Sequence, residues 1–309
     1  MPNQPPTRRR RPAGTASRPQ TSAGAAEFFT RANALLDRLE TFLPTQGATP
    51  DIAAHTAFSW RPHGPGRTLA PVRHAADITL SDLQCIDRQK QEIERNTRQF
   101  LQDLPANHAL LWGPRGTGKS SLVKALLNKY AVGGLRLIEI EGQYLTDLPR
   151  LMEKIDGMRA HFILFCDDLS FEAVDPSYKT LKIFVDGSVN STPDNLLIYA
   201  TSNRRHLVPE VMSDNLGSRN VEGELHLSEA VEEKISLSER FGLWLAFHPF
   251  RQDEYLAIVD HWLGRMQAPA ADRDAMHQAA LKWALEHGSR SGRSAWQFAR
   301  DWTGRRLVK

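Results

Sequence analysis

The feature that most constrains this chain is an eight-residue run, Gly113-Pro114-Arg115-Gly116-Thr117-Gly118-Lys119-Ser120, which follows the short apolar run Ala109–Trp112 and leads into a helix-forming run, Ser121–Lys129. Glycine at the first, fourth and sixth positions lets a loop wrap so tightly that successive backbone N–H groups converge on one anion, a path that Cβ atoms would obstruct. A helix starting directly behind the loop adds the positive end of its dipole at the same spot. Strand, loop and helix in this order form a phosphate cradle. Its candidate contact residues are Gly113, Pro114, Arg115, Gly116, Thr117, Gly118, Lys119, Ser120 and Ser121. Lys119 would reach the outer phosphate oxygens and the Ser120 hydroxyl a divalent metal.

Such a cradle needs a sheet to hold it. Candidate strands Ala109–Trp112, Leu135–Ile140, Phe162–Cys166 and Leu196–Ala200 are short and apolar, end in polar turns and are separated by helical patterns. That alternation predicts an α/β domain whose parallel sheet is flanked by helices on both faces. A helix is expected from Ser81 or Asp82 through Ile86, Ile93 and Phe100 to Leu104, stopped by Pro105. After Pro249 the patterns near Asp253–Met266, Ala270–His287 and Ser294–Thr303 are all helical, which suggests a small helical lid. The expected organisation is therefore a basic arm without fixed structure over 1–26, an N-terminal helix and connector over 27–76, the α/β domain over 77–248 and the lid over 249–309. In the second segment Phe28, Leu35, Leu36, Leu39, Phe42 and Leu43 have helical spacing, whereas the stretch from Pro44 to Pro71 is rich in Pro and Gly and reads as a connector onto which Trp60 packs.

Cleaving a phosphoanhydride requires a carboxylate for the metal and a group that orients water. The apolar strand Phe162–Cys166 ends in Asp167-Asp168, so two acids fall at the carboxyl edge of the sheet, where ligands gather in open α/β folds. Asp167 is the candidate metal-associated residue. Asp168 or, as a substitute, Glu172 is the candidate that orients water.

With both elements placed, the chain from about Asp77 to Thr303 resembles the AAA+ ATPases. The resemblance implies a P-loop sheet domain with a helical lid, ATP and Mg²⁺ as cofactors, and assembly as a homo-oligomer. It implies a γ-phosphate contact for Asn203, which ends Thr201-Ser202-Asn203 after the strand Leu196–Ala200. It implies an arginine finger directed at a neighbouring subunit for Arg240 in Leu237-Ser238-Glu239-Arg240-Phe241. A lid arginine closing on the γ-phosphate is implied for Arg293, with Arg290 close by. Leu83 or Ile86, within Ile78–Asp87, would cover adenine. More narrowly, Cys166–Glu172, Thr201–Leu207 and Ser238–Leu243 are similar to a bacterial AAA+ family of uncharacterised ATP-binding proteins, a domain of unknown function. The implied activity is Mg-dependent ATP binding and hydrolysis coupled to the remodelling of an unknown protein or nucleic-acid partner. An aspartate at 168 in place of the commoner glutamate is compatible with slow turnover. The alternative is a nucleotide-gated DNA-binding loader or scaffold with little turnover.

Composition sets outer limits. Of 309 residues, 41% are hydrophobic and 24% charged, which is ordinary for a globular protein. No run is apolar enough for a membrane span and no apolar stretch follows Arg8–Arg11, so the expected location is the cytoplasm and no membrane partner is expected. The arm over 1–26 holds five arginines and no acid, and it accounts for the net charge of +3. Such an arm is either a solvated extension or a contact for nucleic-acid phosphates. The polar stretch from Met212 to Ile235 carries six acids and reads as a solvated acidic face or an insertion. Cys85 and Cys166 are too far apart for a C-x-x-C pair and read as reduced packing residues. The histidines show no zinc spacing, and Ser170 lies in no nucleophile turn. Trp244, Trp262, Trp283 and Trp296 are expected to pack the lid core rather than stack on a base. A small-molecule kinase, which also uses a P-loop, is disfavoured by the helical tail and by the lack of a substrate-lid motif.

Overall fold

In the computed structural model the apolar runs pair edge to edge into one sheet of seven strands, and the structure describes residues 28, 30–35, 51–63, 66–73, 76–170, 176–186, 193–204, 237–269 and 272–308. The chain divides into two compact units, residues 1–47 with 64–66, and residues 48–63 with 67–309. In the first, the described residues between 30 and 35 are helical, and Phe28 and Leu35 are exposed. The rest of the expected N-terminal helix, the arginine arm, Glu172 and the acidic stretch from Met212 to Ile235 lie outside the described residues.

The second unit carries the sheet. Its strands are β1 (Ala57–His63), β2 (Gly66–Pro71), β3 (Ala109–Trp112), β4 (Leu135–Ile140), β5 (His161–Cys166), β6 (Leu196–Ser202) and β7 (Leu243–Ala246), in the spatial order β2-β1-β4-β5-β6-β3-β7. Pairs β1·β4, β4·β5, β5·β6, β6·β3 and β3·β7 are parallel, so the expected parallel α/β sheet is present. Alternate residues serve two cores. Leu110, Phe162, Leu164, Ile198 and Ala200 face α3 (Leu148–Ile155) and α4 (Pro176–Val185), whereas Leu111, Ile163, Phe165 and Tyr199 face α1 (Asp87–Leu101) and α2 (Lys119–Tyr130). Burial on both faces explains why these strands are continuous apolar runs rather than alternating ones.

Polar ties set the register of this second layer. The buried Tyr199 hydroxyl lies 3.0 Å from both Asn96 Nδ2 and Thr97 Oγ1 of α1. Burial pushes His108 down to about 4, so its neutral ring accepts the Ile198 N–H at 3.1 Å.

Three expectations are corrected. The connector from Pro44 to Pro71 contains β1 and β2. Its prolines do not block pairing because the β1·β4 ladder runs only through Ala57–Trp60, ahead of Pro62, and Phe58 and Trp60 are buried on it. The helix expected from Ser81 or Asp82 to Leu104 begins instead at Asp87, after a separate 3-10 turn, Leu80–Asp82; Cys85, at φ 63°, breaks the path between them. Strand β7 adds to the four expected at the centre of the sheet, and its four residues are too few to show a period.

The carboxyl-terminal helices are α5 (Gln252–Arg265), α6 (Arg273–Glu286) and α7 (Gly292–Leu307), as expected for a lid, and they share the core on the α1 and α2 side. Among the described residues no helix is long and apolar enough to cross a membrane.

The turn out of β3 is held on both sides. Gly113 N–H donates to Ser202 O at 3.1 Å, and Phe247 N–H donates to Trp112 O at 2.8 Å. A Cβ on Gly113, which sits at φ +140°, would lie 2.2 Å from the Phe247 carbonyl oxygen. Gly113→Ala is therefore expected to destabilise the protein by about 2 kcal/mol or more, read as a lowered midpoint in urea with an unchanged m-value.

Candidate functional site

β5, β6 and β3 are neighbours, so their carboxyl ends deliver Asp167-Asp168, Asn203 and the glycine loop to one edge of the sheet. The loop turns left-handed at Gly116 (φ +78°) and Gly118 (φ +99°), and α2 begins directly at Lys119. The first-turn N–H groups of an α-helix have no partner within the helix, and in α2 they belong to Lys119, Ser120 and Ser121, which line the cavity described below. Leu122 N–H closes the first helical bond on Gly118 O at 2.8 Å.

Lys119 is folded across the loop. Its Nζ donates to Gly113 O at 2.6 Å, Pro114 O at 2.8 Å and Asn203 Oδ1 at 3.2 Å. Burial pushes its pKa down to about 8, against the upward pull of Asp168 and Asp167. Ser120 Oγ and Thr201 Oγ1 both donate to Asp167 Oδ1, each at 2.6 Å. The Asp168 N–H donates to Thr201 Oγ1 at 2.9 Å, which fixes the order of the two acids. Asp168, itself at φ 53°, accepts from Asn203 Nδ2 and, at 3.1 Å, from Arg115. The second acid is thus tied to the loop through Arg115 and to β6 through Asn203.

A cavity of about 790 Å³ opens over this network. Arg115 to Ser121, Asp167, Asp168 and Asn203 line it together with Leu83, Ile86 and Ile78, and a Cβ on Gly118 would lie 3.5 Å from Ile86 Cδ1 and 3.8 Å from Leu83 Cδ2. Arg293 reaches it from the second position of α7, whereas Arg290 does not line it. Gly113 and Pro114 lie behind the cavity and hold Lys119 through their carbonyls. Arg240 is not among the lining residues; it forms an ion pair with Asp186, just past α4.

The lid also touches the loop. Gly292 N–H donates to Gly116 O at 2.8 Å, and a Cβ on Gly116 would meet Ser291 Cβ at 2.7 Å and Oγ at 2.8 Å. Ser291 is itself the N-cap of α7, accepting from Ser294 N–H at 3.1 Å.

Sequence reasoning misses four members of the site. In the sequence Thr201 is only part of a strand end, although a hydroxyl one residue past an apolar strand is a visible donor. Asp82 looks like a helix cap. Trp283 packs the lid-side core as expected; Trp262 packs there too but also lines the cavity, Trp296 lines the cavity and is 36% exposed, and Trp244, expected in the lid core, stands instead on strand β7 and packs against the other side of the sheet. Helical spacing cannot separate these cases, because α5 and α7 carry tryptophan on faces toward the cavity as well as toward the core.

The residues fit a nucleotide with its metal. The left-handed glycines leave the cradle without Cβ atoms, the donors at the loop suit a polyanion, and a hydroxyl with one carboxylate oxygen at 2.6 Å is a hard-oxygen pair suited to Mg²⁺.

Comparison with known proteins agrees with this arrangement. The profile of the family described as "Protein of unknown function (DUF815)" matches residues 53–306. The 26S proteasome regulatory subunit 6B homolog of Schizosaccharomyces pombe is 33% identical over 108 residues, which are 30% of this chain and 28% of that protein. Its Saccharomyces cerevisiae counterpart is 34% identical over 107 residues, 30% of this chain and 25% of that one. Among solved structures, a point variant of Thermotoga maritima RuvB superposes with a TM-score of 0.50 at 14% identity, over 72% of this chain and 63% of that one. Aeropyrum pernix ORC1 in complex with DNA gives a TM-score of 0.50 at 14% identity, over 72% and 59%. The chain spans less than two thirds of each of these proteins. The cavity, the glycine loop and the sheet order thus belong to an AAA+ P-loop ATPase fold, and the chain is a member of the DUF815 family.

Proposed function

We propose that this protein binds Mg·ATP at the loop Gly113–Ser120 and hydrolyses it, working in the cytoplasm as a homo-oligomer that remodels a macromolecular partner. The observation that carries the reading is the chain of contacts Ser120–Asp167–Thr201 beside Lys119, which joins the loop, β5 and β6 into one charged, hydrogen-bonded surface. Mg²⁺ would supply charge neutralisation and an ordered water shell, with Ser120 and Asp167 as its holders. Lys119 swings from the Gly113 and Pro114 carbonyls to phosphate oxygens. Asp168, steered by Asn203, accepts a proton from the attacking water, and Arg293 balances charge on the outer phosphate.

In this reading Arg240 leaves Asp186 to meet the nucleotide of a neighbouring subunit, as a planar, permanently charged guanidinium can. The bond between Gly292 and Gly116 passes any movement of the loop to α7, so that phosphate occupancy shifts the lid. The domain limits 77–248 and 249–309 then describe the moving parts, with the sheet extended at its edge by β1 and β2. The second reading, a DNA loader with little turnover, draws support from the likeness to ORC1 in complex with DNA.

Phosphate release from ATP, measured over a series of protein concentrations, tests the proposal. Lys119→Ala and Asp167→Asn are expected to lower the rate by about a hundredfold or more. Specific activity should rise with concentration and fall in Arg240→Ala; activity indifferent to both would remove the oligomeric model, and binding without turnover would favour the loader.

The lysine also makes binding pH-dependent. Free Lys119 loses its proton near pH 8, and phosphate oxygens favour the charged form, so ATP affinity should fall as the pH rises through about 8. Titration with a fluorescent ATP analogue should show that fall in the natural protein and not in Lys119→Met.

Gly116→Ala should loosen the lid, because the new Cβ collides with Ser291 in a backbone conformation that disfavours side chains. Faster hydrogen exchange at the start of α7, with β5 unchanged, is the expected outcome.

A further inference from the structure

Two charged side chains are buried among the described residues, Lys119 and Asp82. Lys119 belongs to the phosphate loop. Asp82 lines the same cavity, on the 3-10 turn that precedes α1. Within its own turn its Oδ2 accepts from Thr79 N–H at 2.8 Å and Thr79 Oγ1 at 2.7 Å. From the lid, α5 closes on it twice: His261 Nε2 lies 3.1 Å from Oδ1, and Arg265 pairs with Oδ2. Arg265 also reaches Asp77 O at 3.4 Å, and Gln84 Nε2 lies 3.5 Å from His261 Nδ1.

The partner segment is itself fixed. Asn128 of α2, the helix that starts at the phosphate loop, donates to Ala76 O at 2.7 Å and Ile78 O at 2.8 Å. The lid helix is thereby bolted to a segment that is bolted to the phosphate-loop helix. Between the two lid residues in sequence stands Trp262, which lines the cavity; its ring meets the His261 ring edge-on at 5.5 Å and carries the Arg265 guanidinium at 5.4 Å. The Asp82 carboxylate is buried while Arg265 and His261 are partly exposed, at 31% and 24%, so Asp82 keeps both lid partners only when α5 sits in this place. Here the element whose geometry it fixes is a wall of the cavity.

We propose that Asp82 is a positioning residue: by holding His261 and Arg265 it fixes α5 and the Trp262 wall over the cavity, and so sets how slowly a bound nucleotide leaves. This rests on the nucleotide reading of the cavity. The contacts that shape the phosphate loop, Gly113 to Ser202, Ser120 to Asp167 and Gly292 to Gly116, involve none of Asp82, His261 and Arg265, so cutting the latch changes release and not capture.

The test uses the full chain with Asp82→Asn and, separately, Arg265→Gln, which leaves the bonds from Thr79 to Asp82 in place. Hydrogen exchange without nucleotide is followed in α5, and association and dissociation of a fluorescent ATP analogue by stopped flow. In both variants α5 should exchange faster while β5 and α2 stay protected. Dissociation should accelerate about tenfold, as expected for loss of one charged hydrogen-bonded contact, with association within about twofold of the natural protein. Trp262→Phe should abolish the difference in tryptophan emission between the natural protein and Asp82→Asn. Unchanged dissociation in variants that keep β5 protected would overturn the proposal, as would parallel changes in both rates with loss of sheet protection. Failure of the natural protein to bind the analogue would count against the nucleotide reading itself; the latch then stands or falls on α5 exchange, and unchanged exchange would refute it.

Discussion

The turn that leaves β3 brings Gly113 so close to the carbonyl of Phe247 that no Cβ fits, while the Gly113 N–H is held by Ser202 O, so only glycine can start the loop at this place. From there the rest of the site follows. Gly116 and Gly118 continue the path in left-handed conformations, α2 starts at Lys119, and Ser120 arrives within hydrogen-bonding distance of Asp167. The acids are in place only because β5 and β6 lie next to β3 in the sheet order, although about fifty and ninety residues separate them along the chain. A local backbone constraint and a global strand order therefore meet at one point, and neither alone yields a site.

The parts of the molecule that are legible in the sequence are those whose signal is local. Eight consecutive residues specify the loop, because each carries a stereochemical requirement. Four strands buried on both faces stand out as apolar runs ending in polar turns, and the lid helices show through their spacing. What stays hidden depends on contacts with distant residues. β7 is a strand because Trp112 and His108 offer it hydrogen bonds, and nothing in its four residues says so. β1 and β2 look like a connector because Pro and Gly are counted without knowing which backbone groups need partners; Pro62 falls just beyond the ladder with β4. The break at Cys85 separates Asp82 from α1, and with it a capping residue becomes a buried carboxylate.

Polar groups in this fold fall into two kinds. Asn96, Thr97 and Tyr199, or His108 with Ile198, satisfy each other inside the core and fix the register of one layer on another. At the cavity the groups are shared among separate elements: Thr201 serves both acids, Lys119 spans loop and β6, and Asp82 joins the segment before α1 to the lid. The first kind tolerates no motion. The second kind ties elements that come from distant parts of the chain, so a change at one of them is felt at the others.

The order of strands has a consequence for how the chain is made. The central strand β3 emerges early, yet both its neighbours, β6 and β7, lie far toward the carboxyl end. β3 ends at Trp112, and Leu110 and Leu111 lack both flanking ladders until β6, which begins at Leu196, and lack the second until β7, which begins at Leu243. Nonlocal parallel pairing of this sort folds slowly and exposes sticky intermediates. The phosphate loop, first to be recognised in the sequence, is among the last parts of the molecule to take shape.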